Sequence, residues 1–216
     1  MAVLTIGWQN PGRVAPAGTT ATTPSEGDAK DGATPAPAPK RADKPMLVYV
    51  SDPTATDAFD KVEKVVLTDD KVAVGCKAFT CIRMTPEQAS QDEILAKAGK
   101  ETPRFVFVSA DYKNVEVLEG NKLSIGGLFG EMKTQFKKHY SGDLEKNVKA
   151  LIKILGEFDK IANERSMLEE KKIRAEKPSA ADQAEWKKTA AELDAREKEA
   201  NGERDKLLKF EPKSAA

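Results

Sequence analysis

The stretch Thr102-Pro-Arg-Phe-Val-Phe-Val-Ser109 sets a Thr-Pro dipeptide directly before an apolar strand. Proline is the residue that holds a cis peptide bond at little cost, so a Thr-Pro at a strand start marks a sharp entry of the chain. Upstream lies a β-α-β unit. Met46-Leu-Val-Tyr-Val-Ser51 is an unbroken apolar run, as expected of a strand buried on both faces. Asp52-Pro53 ends it, and Thr54 or Thr56 is expected to cap a helix with a core face of Ala58, Phe59, Val62, Val65 and Val66. Thr68-Asp-Asp70 interrupts, a short helix follows to Lys77, and Phe79-Thr-Cys-Ile-Arg-Met84 is the next strand. Thr85-Pro86 then opens a helix carrying Ile94, Leu95 and Ala98 on one face, ended by Gly99. Downstream, Ala110-Asp-Tyr-Lys113 turns the chain into a strand over 114–118, which runs to Gly120. Strands and helices alternating at these lengths predict a mixed sheet with helices on both faces.

Helix dominates after Gly120. Leu128, Met132 and Phe136 recur every fourth residue, and Ser141-Gly-Asp143 ends that helix and caps the next. Leu144, Val148, Leu151, Leu155, Phe158 and Ala162 form a stripe that fades into Glu169-Glu-Lys-Lys-Ile-Arg174. After Pro178, Ser179-Ala-Ala-Asp182 resembles a capping box. A second stripe follows through Trp186, Ala190, Leu193, Ala200 and Leu207, so the two helices read as an antiparallel hairpin. The expected division is a tail over 1–44, an α/β domain over 45–140 and a charged helical hairpin over 141–216.

The tail contrasts with everything after it. From Ala15 to Lys44 no Val, Leu, Ile, Met, Phe, Tyr or Trp occurs, and Ala, Pro, Thr and Gly dominate. Such a segment buries too little apolar surface to offset its ordering entropy and is expected to be a mobile linker. Ahead of it, Met1-Ala-Val-Leu-Thr-Ile-Gly-Trp8 is apolar but short for a secretory core and lacks a basic start. Two readings stay open: the remnant of a signal peptide that begins upstream, with an exported or periplasmic protein, or a docking strand in a cytoplasmic one. As a docking strand, its apolar Leu4, Ile6 and Trp8 alternate with Val3, Thr5 and Gly7. A linker of roughly 35 residues gives such a tip a reach of about 30–35 Å, enough to add a strand to the sheet of a neighbouring subunit.

Residues 45 to about 140 resemble the thioredoxin superfamily. The matching pieces are Lys44-Pro-Met-Leu-Val-Tyr-Val50 and Phe79-Thr-Cys-Ile-Arg-Met84 as central strands, Thr102-Pro103 at the cis-proline position, and Val117-Leu-Glu-Gly120 at the hairpin end. Leu67-Thr-Asp-Asp-Lys-Val-Ala73 is similar to a branch in which a short helix precedes the second strand. The resemblance implies a thioredoxin-like β-α-β-α-β-β-α sandwich, a cis bond at Thr102-Pro103, and a peptide-holding groove beside those two residues. The chain departs from the family at the catalytic motif. The family sets a C-x-x-C at the N-terminus of its first helix, where the helix dipole stabilises a thiolate. Here Ser51-Asp-Pro-Thr-Ala-Thr-Asp-Ala-Phe59 puts Ala55 and Ala58 at those places. Without a thiol there, exchange by the family mechanism has no nucleophile, and nothing adjacent activates the Ser and Thr hydroxyls.

Cys76 and Cys81 are the two cysteines present. Cys76 shares a helical face with Val72, and Cys81 alternates with Phe79 in a central strand. They read as small buried hydrophobes, with a structural disulfide or a redox pair as alternatives. One histidine, His139, stands at a basic helix end, and two cysteines cannot complete a zinc site. Ile125-Gly-Gly-Leu-Phe-Gly130 lacks the phosphate-loop spacing, so no cofactor is expected. Thirty-five basic residues balance 35 acidic ones, and the lysine-rich stretches read as solvated helix faces, which argues against a nucleic-acid partner. No apolar run has the length of a membrane span.

The expected function is therefore protein binding without catalysis, as an accessory or structural subunit of a larger assembly. Leu4, Ile6, Trp8 and Trp186 are the candidate partner contacts; Trp186 either fixes the hairpin or meets a partner. The alternatives are a thiol-disulfide oxidoreductase using Cys76 and Cys81, and a chaperone-like module holding peptide at Thr102 and Pro103.

Overall fold

The computed structural model describes residues 4–9, 43–52, 54, 56–175 and 177–213. The expected mobile linker lies outside the described residues, apart from its last two. Four strands, β1 (Met46–Val50), β2 (Thr80–Met84), β3 (Arg104–Val108) and β4 (Val115–Glu119), form one mixed sheet in the order β2-β1-β3-β4. β1 runs parallel to β2 and antiparallel to β3, and β3 runs antiparallel to β4. Every residue of β1 and β3 is buried, which accounts for their unbroken apolar sequence. The alternation along each strand divides the core in two. Leu47, Tyr49, Phe105 and Phe107 face one side, and Val48, Val50, Val106 and Val108 face the other.

The first side is covered by α1 (Thr56–Lys61), α2 (Asp70–Gly75), α4 (Ile125–His139) and the start of α5 (Leu144–Arg174). α1 continues as a single π turn over Val62–Val66, closed by the Leu67 N–H donating to the Val62 carbonyl at 2.9 Å. That wider turn advances the helical phase. It buries Val62 and Val66 but leaves Val65 at 52% exposure and Ala58 exposed, which corrects the core face expected from regular spacing. The turn before α1 is also held differently from expectation. The Asp52 carboxylate accepts from the Thr54 N–H and hydroxyl, so the acidic side chain supplies the acceptor.

The second side is covered by α3 (Pro86–Ser90) and a 3-10 turn over Leu95–Lys97. Sequence spacing predicts one continuous helix here. The buried Asp92 carboxylate instead accepts from the Ile94 and Leu95 N–H groups and starts a separate turn. Gly99 follows with φ +76°, where a Cβ would meet Glu119, Val117 and Arg104 within 3.0 Å. The β3–β4 turn spans Ser109 to Asn114, with Tyr112 at φ 61°.

α5 and α6 (Ala180–Leu207) form the C-terminal helical pair. They run antiparallel, because Arg165 pairs with Asp194 and Glu197 while Arg196 pairs with Glu157 and Glu164. Leu144, Val148 and Leu151 belong to the sheet's own core, so the helical pair is rooted in it. Beyond that root the buried positions are Ile154, Ile161 and Leu168 rather than the expected Leu155, Phe158 and Ala162. Ile154, Ile161 and Leu168 repeat at heptad spacing, as do Leu193 and Ala200 on α6, giving a coiled-coil seam. The chain then returns to the core. Phe210 packs against Phe136 and Tyr140, and Tyr140 pairs with Pro212 in an antiparallel bridge.

Candidate functional site

The Thr102-Pro103 peptide is cis. It stands at the end of the sheet where β1 finishes, since Val50 and Arg104 are paired. A cavity of about 260 Å³ opens there, lined by Ala58, Lys61 and Val62 on one wall and Thr102, Pro103 and Gly120 on the other. Glu101, Asn121 and Leu123 complete the lining, so one cation and one carboxylate flank the groove. Its far wall is tied down by backbone contacts. The Glu119 carboxylate accepts from the Lys100 and Glu101 N–H groups, and the Arg104 guanidinium donates to the Glu101 carbonyl at 2.9 Å. Burial lowers the Arg104 pKa, which the nearby Glu119 charge partly opposes. Gly120, at φ +59°, lets the chain turn where a side chain would crowd Glu101.

Of the two positions carried over from the resemblance, one falls at this groove. Ala58 lines it, and Ala55 lies outside the described residues. Beside them the hydrogen bonds from Thr54 lower the Asp52 pKa, keeping a carboxylate before the helix. The described lining therefore offers a methyl group, a proline ring, a hydroxyl and opposed charges.

Cys76 and Cys81 lie elsewhere. Cys81 pairs in register with Leu47, near the opposite end of β1 from the groove, about 10 Å away at strand rise. Both cysteines are free and buried, at 3% and 4% exposure, with the Cys81 thiol 3.5 Å from the Cys76 carbonyl. The neighbouring Cys81, then burial, push the Cys76 thiol well above its usual pKa. That is the reverse of what a nucleophilic thiolate needs.

The candidate partner residues divide into two places. Ile6 is buried and Leu4 and Trp8 are half-buried against this chain's own sheet, where Gln9 forms a parallel bridge with Ile82 at the free edge of β2. Trp186 is half-buried on α6, toward the turn between the two long helices. His139 ends α4 with Lys137 and Lys138, and its carbonyl accepts from the Lys213 N–H. Among the described residues no metal-holding group of His, Cys, Asp and Glu occurs, and no helix is long and apolar enough to cross a membrane.

Sequence reasoning missed a polar-aromatic cluster beneath the N-terminal segment. Tyr49 is fully buried, stacks on Phe105 at 4.7 Å and lies 5.8 Å from Trp8. The Arg83 guanidinium sits over its ring at 5.3 Å and pairs with Glu63. Burial, followed by the Glu63 charge and hydrogen bonding to Glu63, raises the pKa of the Tyr49 hydroxyl, which Arg83 and Ser51 partly oppose. A tyrosine inside an otherwise aliphatic strand was the available signal. Compared with protein-family models, curated proteins and solved structures, the chain gives no match.

Proposed function

We propose that this chain is a non-catalytic, thioredoxin-like protein-binding module, an accessory or structural subunit whose main contact is the far end of its helical pair. One observation carries this reading. Ile173 is 81% exposed and Met167 61% exposed near the end of α5, on a helix otherwise rich in charge. At 1.5 Å per residue, that end stands about 30 Å beyond Leu151, the last α5 residue in the sheet's core. Large apolar side chains held in water on a stiff arm suit a partner surface, and Trp186 adds an aromatic nearby. The burial of both cysteines weighs against the oxidoreductase reading.

A photo-crosslinker placed at position 173 tests the proposal. In native extract it should join the chain to a discrete protein, whereas the same group at the exposed Val65 should not. Equal, diffuse products from both positions would reject the arm as the contact. A second reading, a chaperone-like peptide holder, rests on the groove beside Thr102 and Pro103 and is compatible with the first.

A further inference from the structure

We infer that Cys76 and Cys81 are an oxidisable pair, which hydrogen peroxide closes into a disulfide, and that this bond loosens the seat of residues 4–9. They are the two cysteines of the chain, and both are free and buried. Cys76 stands where α2 gives way to a 3-10 turn over Cys76–Ala78, and Cys81 lies in β2. The Cys81 thiol points back at that turn, 3.5 Å from the Cys76 carbonyl. The Cys76 thiol in turn feels the Cys81 thiol more strongly than it feels its own burial. Thiols within hydrogen-bonding reach of each other need only a local shift to come to the S–S bond length of about 2.0 Å.

The pair is tied to residues 4–9 by the way that segment is held. The Trp8 N–H donates to the Ile6 carbonyl at 3.0 Å, which turns the segment at Gly7. Two polar contacts then seat it on the fold: the Gln9 N–H donates to the Cys81 carbonyl at 2.9 Å, and the Lys77 ammonium donates to the Thr5 carbonyl at 2.7 Å. One contact is made by Cys81 itself and the other by the residue after Cys76. Ile6 is buried in the same core cluster as both thiols. β2 is fixed by its five-residue pairing with β1, so closing the disulfide moves the turn that carries Cys76 and Lys77. That movement draws the Lys77 ammonium from the place that the Thr5 carbonyl fits. The coupling is reciprocal, so a chain with a weakened segment holds the disulfide more readily.

In the reduced chain the Cys76 thiol is covered and kept in its protonated form, and peroxide reaches the pair as the segment opens. One sulfur, as its thiolate, attacks a peroxide oxygen; the O–O bond breaks and leaves a sulfenic acid. The other thiol attacks that sulfur and the S–OH bond breaks. The two thiols together lose two electrons and two protons, and one hydrogen peroxide becomes two waters.

The test uses the full chain carrying Trp186→Phe, in which Trp8 is the remaining tryptophan. Hydrogen peroxide should remove two hydrogens by mass, join the peptides that hold Cys76 and Cys81, and shift Trp8 emission to the red. Dithiothreitol should reverse all three changes, which separates them from methionine oxidation. The same chain with Cys81→Ser should show none of the three. In dithiothreitol redox buffers, Ile6→Ser should favour the disulfide at least ten-fold, a potential lower by about 30 mV. A disulfide between chains, or no reaction of the folded chain under conditions that close the pair in the denatured one, overturns the pair. A Cys76–Cys81 disulfide with Trp8 emission unmoved, or equal potentials with and without Ile6→Ser, overturns the coupling. If the Ile6→Ser chain fails to fold, the Trp8 emission of the chain that keeps Ile6 decides alone.

Discussion

Tyr49 and Tyr140 give this chain a pH dependence that its balanced charge does not suggest. Tyr140 is buried and donates to the Ala78 carbonyl at 2.9 Å; burial pushes its pKa up to about 12 from an ordinary 10.0. Tyr49 moves in the same direction, from burial first and the Glu63 charge second. Each holds its proton more tightly in the folded than in the unfolded chain. Their contribution to stability is therefore intact below about pH 10 and declines as pH rises from 10 through 12. Urea midpoints measured across that range should fall, and Tyr49→Phe should make the fall shallower. At neutral pH the same change should alter stability by about 1 kcal/mol or less, because it removes a buried hydroxyl whose contacts with Glu63 and Ser51 lie outside good hydrogen-bond geometry. A loss above about 2 kcal/mol would mean that the hydroxyl makes a strong, well-aligned hydrogen bond. The thiols yield a second residue-level expectation. Cys76 and Cys81 should resist a thiol reagent in the native state and react fully in denaturant. Rapid native labelling would put a reactive thiol at the surface and reopen the redox reading.

Among the elements, the π turn is the most exacting test, since it decides which of two adjacent valines is inside. Val66 is 1% exposed and Val65 is 52% exposed. Val65→Asp should change stability by about 0.5 kcal/mol or less, whereas Val66→Asp should cost about 3 kcal/mol or more. Thermal or urea denaturation of the two variants measures this, and a reversed order would restore the regular helix. This turn also shows where sequence reading stops. β1 and β3 were legible because strands buried on both faces need unbroken apolar runs, whereas the cis bond at Thr102-Pro103 was expected only from the family resemblance. The phase of a helix is not legible once one turn widens, so Val65 was misplaced. Asp92 breaks α3 from its following turn by side-chain hydrogen bonds that periodicity does not register. On α5 the helical stripe was legible as far as Leu151, where the sheet selects the buried residues. Past that point α6 selects them, and the register moves to Ile154, Ile161 and Leu168. Of the candidate site, Thr102 and Pro103 were legible from their place before β3. Trp8 over Tyr49 was not, because that contact joins residues separated by the whole tail.

At the level of the whole molecule, the helical pair and the sheet are fastened at two points. The first is the burial of Leu144, Val148 and Leu151 in the sheet's core; the second is the return of Phe210 against Phe136 and Tyr140. Phe210→Ala should cost about 2 kcal/mol, less than a fully buried phenylalanine because the ring is half-buried. Calorimetry should show one transition at a lower temperature, and an unchanged melting temperature would make the C-terminal contact incidental. The exposed ion pairs along the arm contribute little individually, so the arm's stiffness rests on its heptad seam and its anchored root. That design leaves Met167 and Ile173 free to be changed without unfolding the chain. The most direct test of the binding account is therefore affinity capture from native extract with the unaltered chain and with a Met167→Glu/Ile173→Glu variant. The account predicts a discrete set of proteins on the unaltered chain, at least ten-fold depleted on a variant with an unchanged melting temperature. Equal recovery of the same proteins by both chains would contradict it.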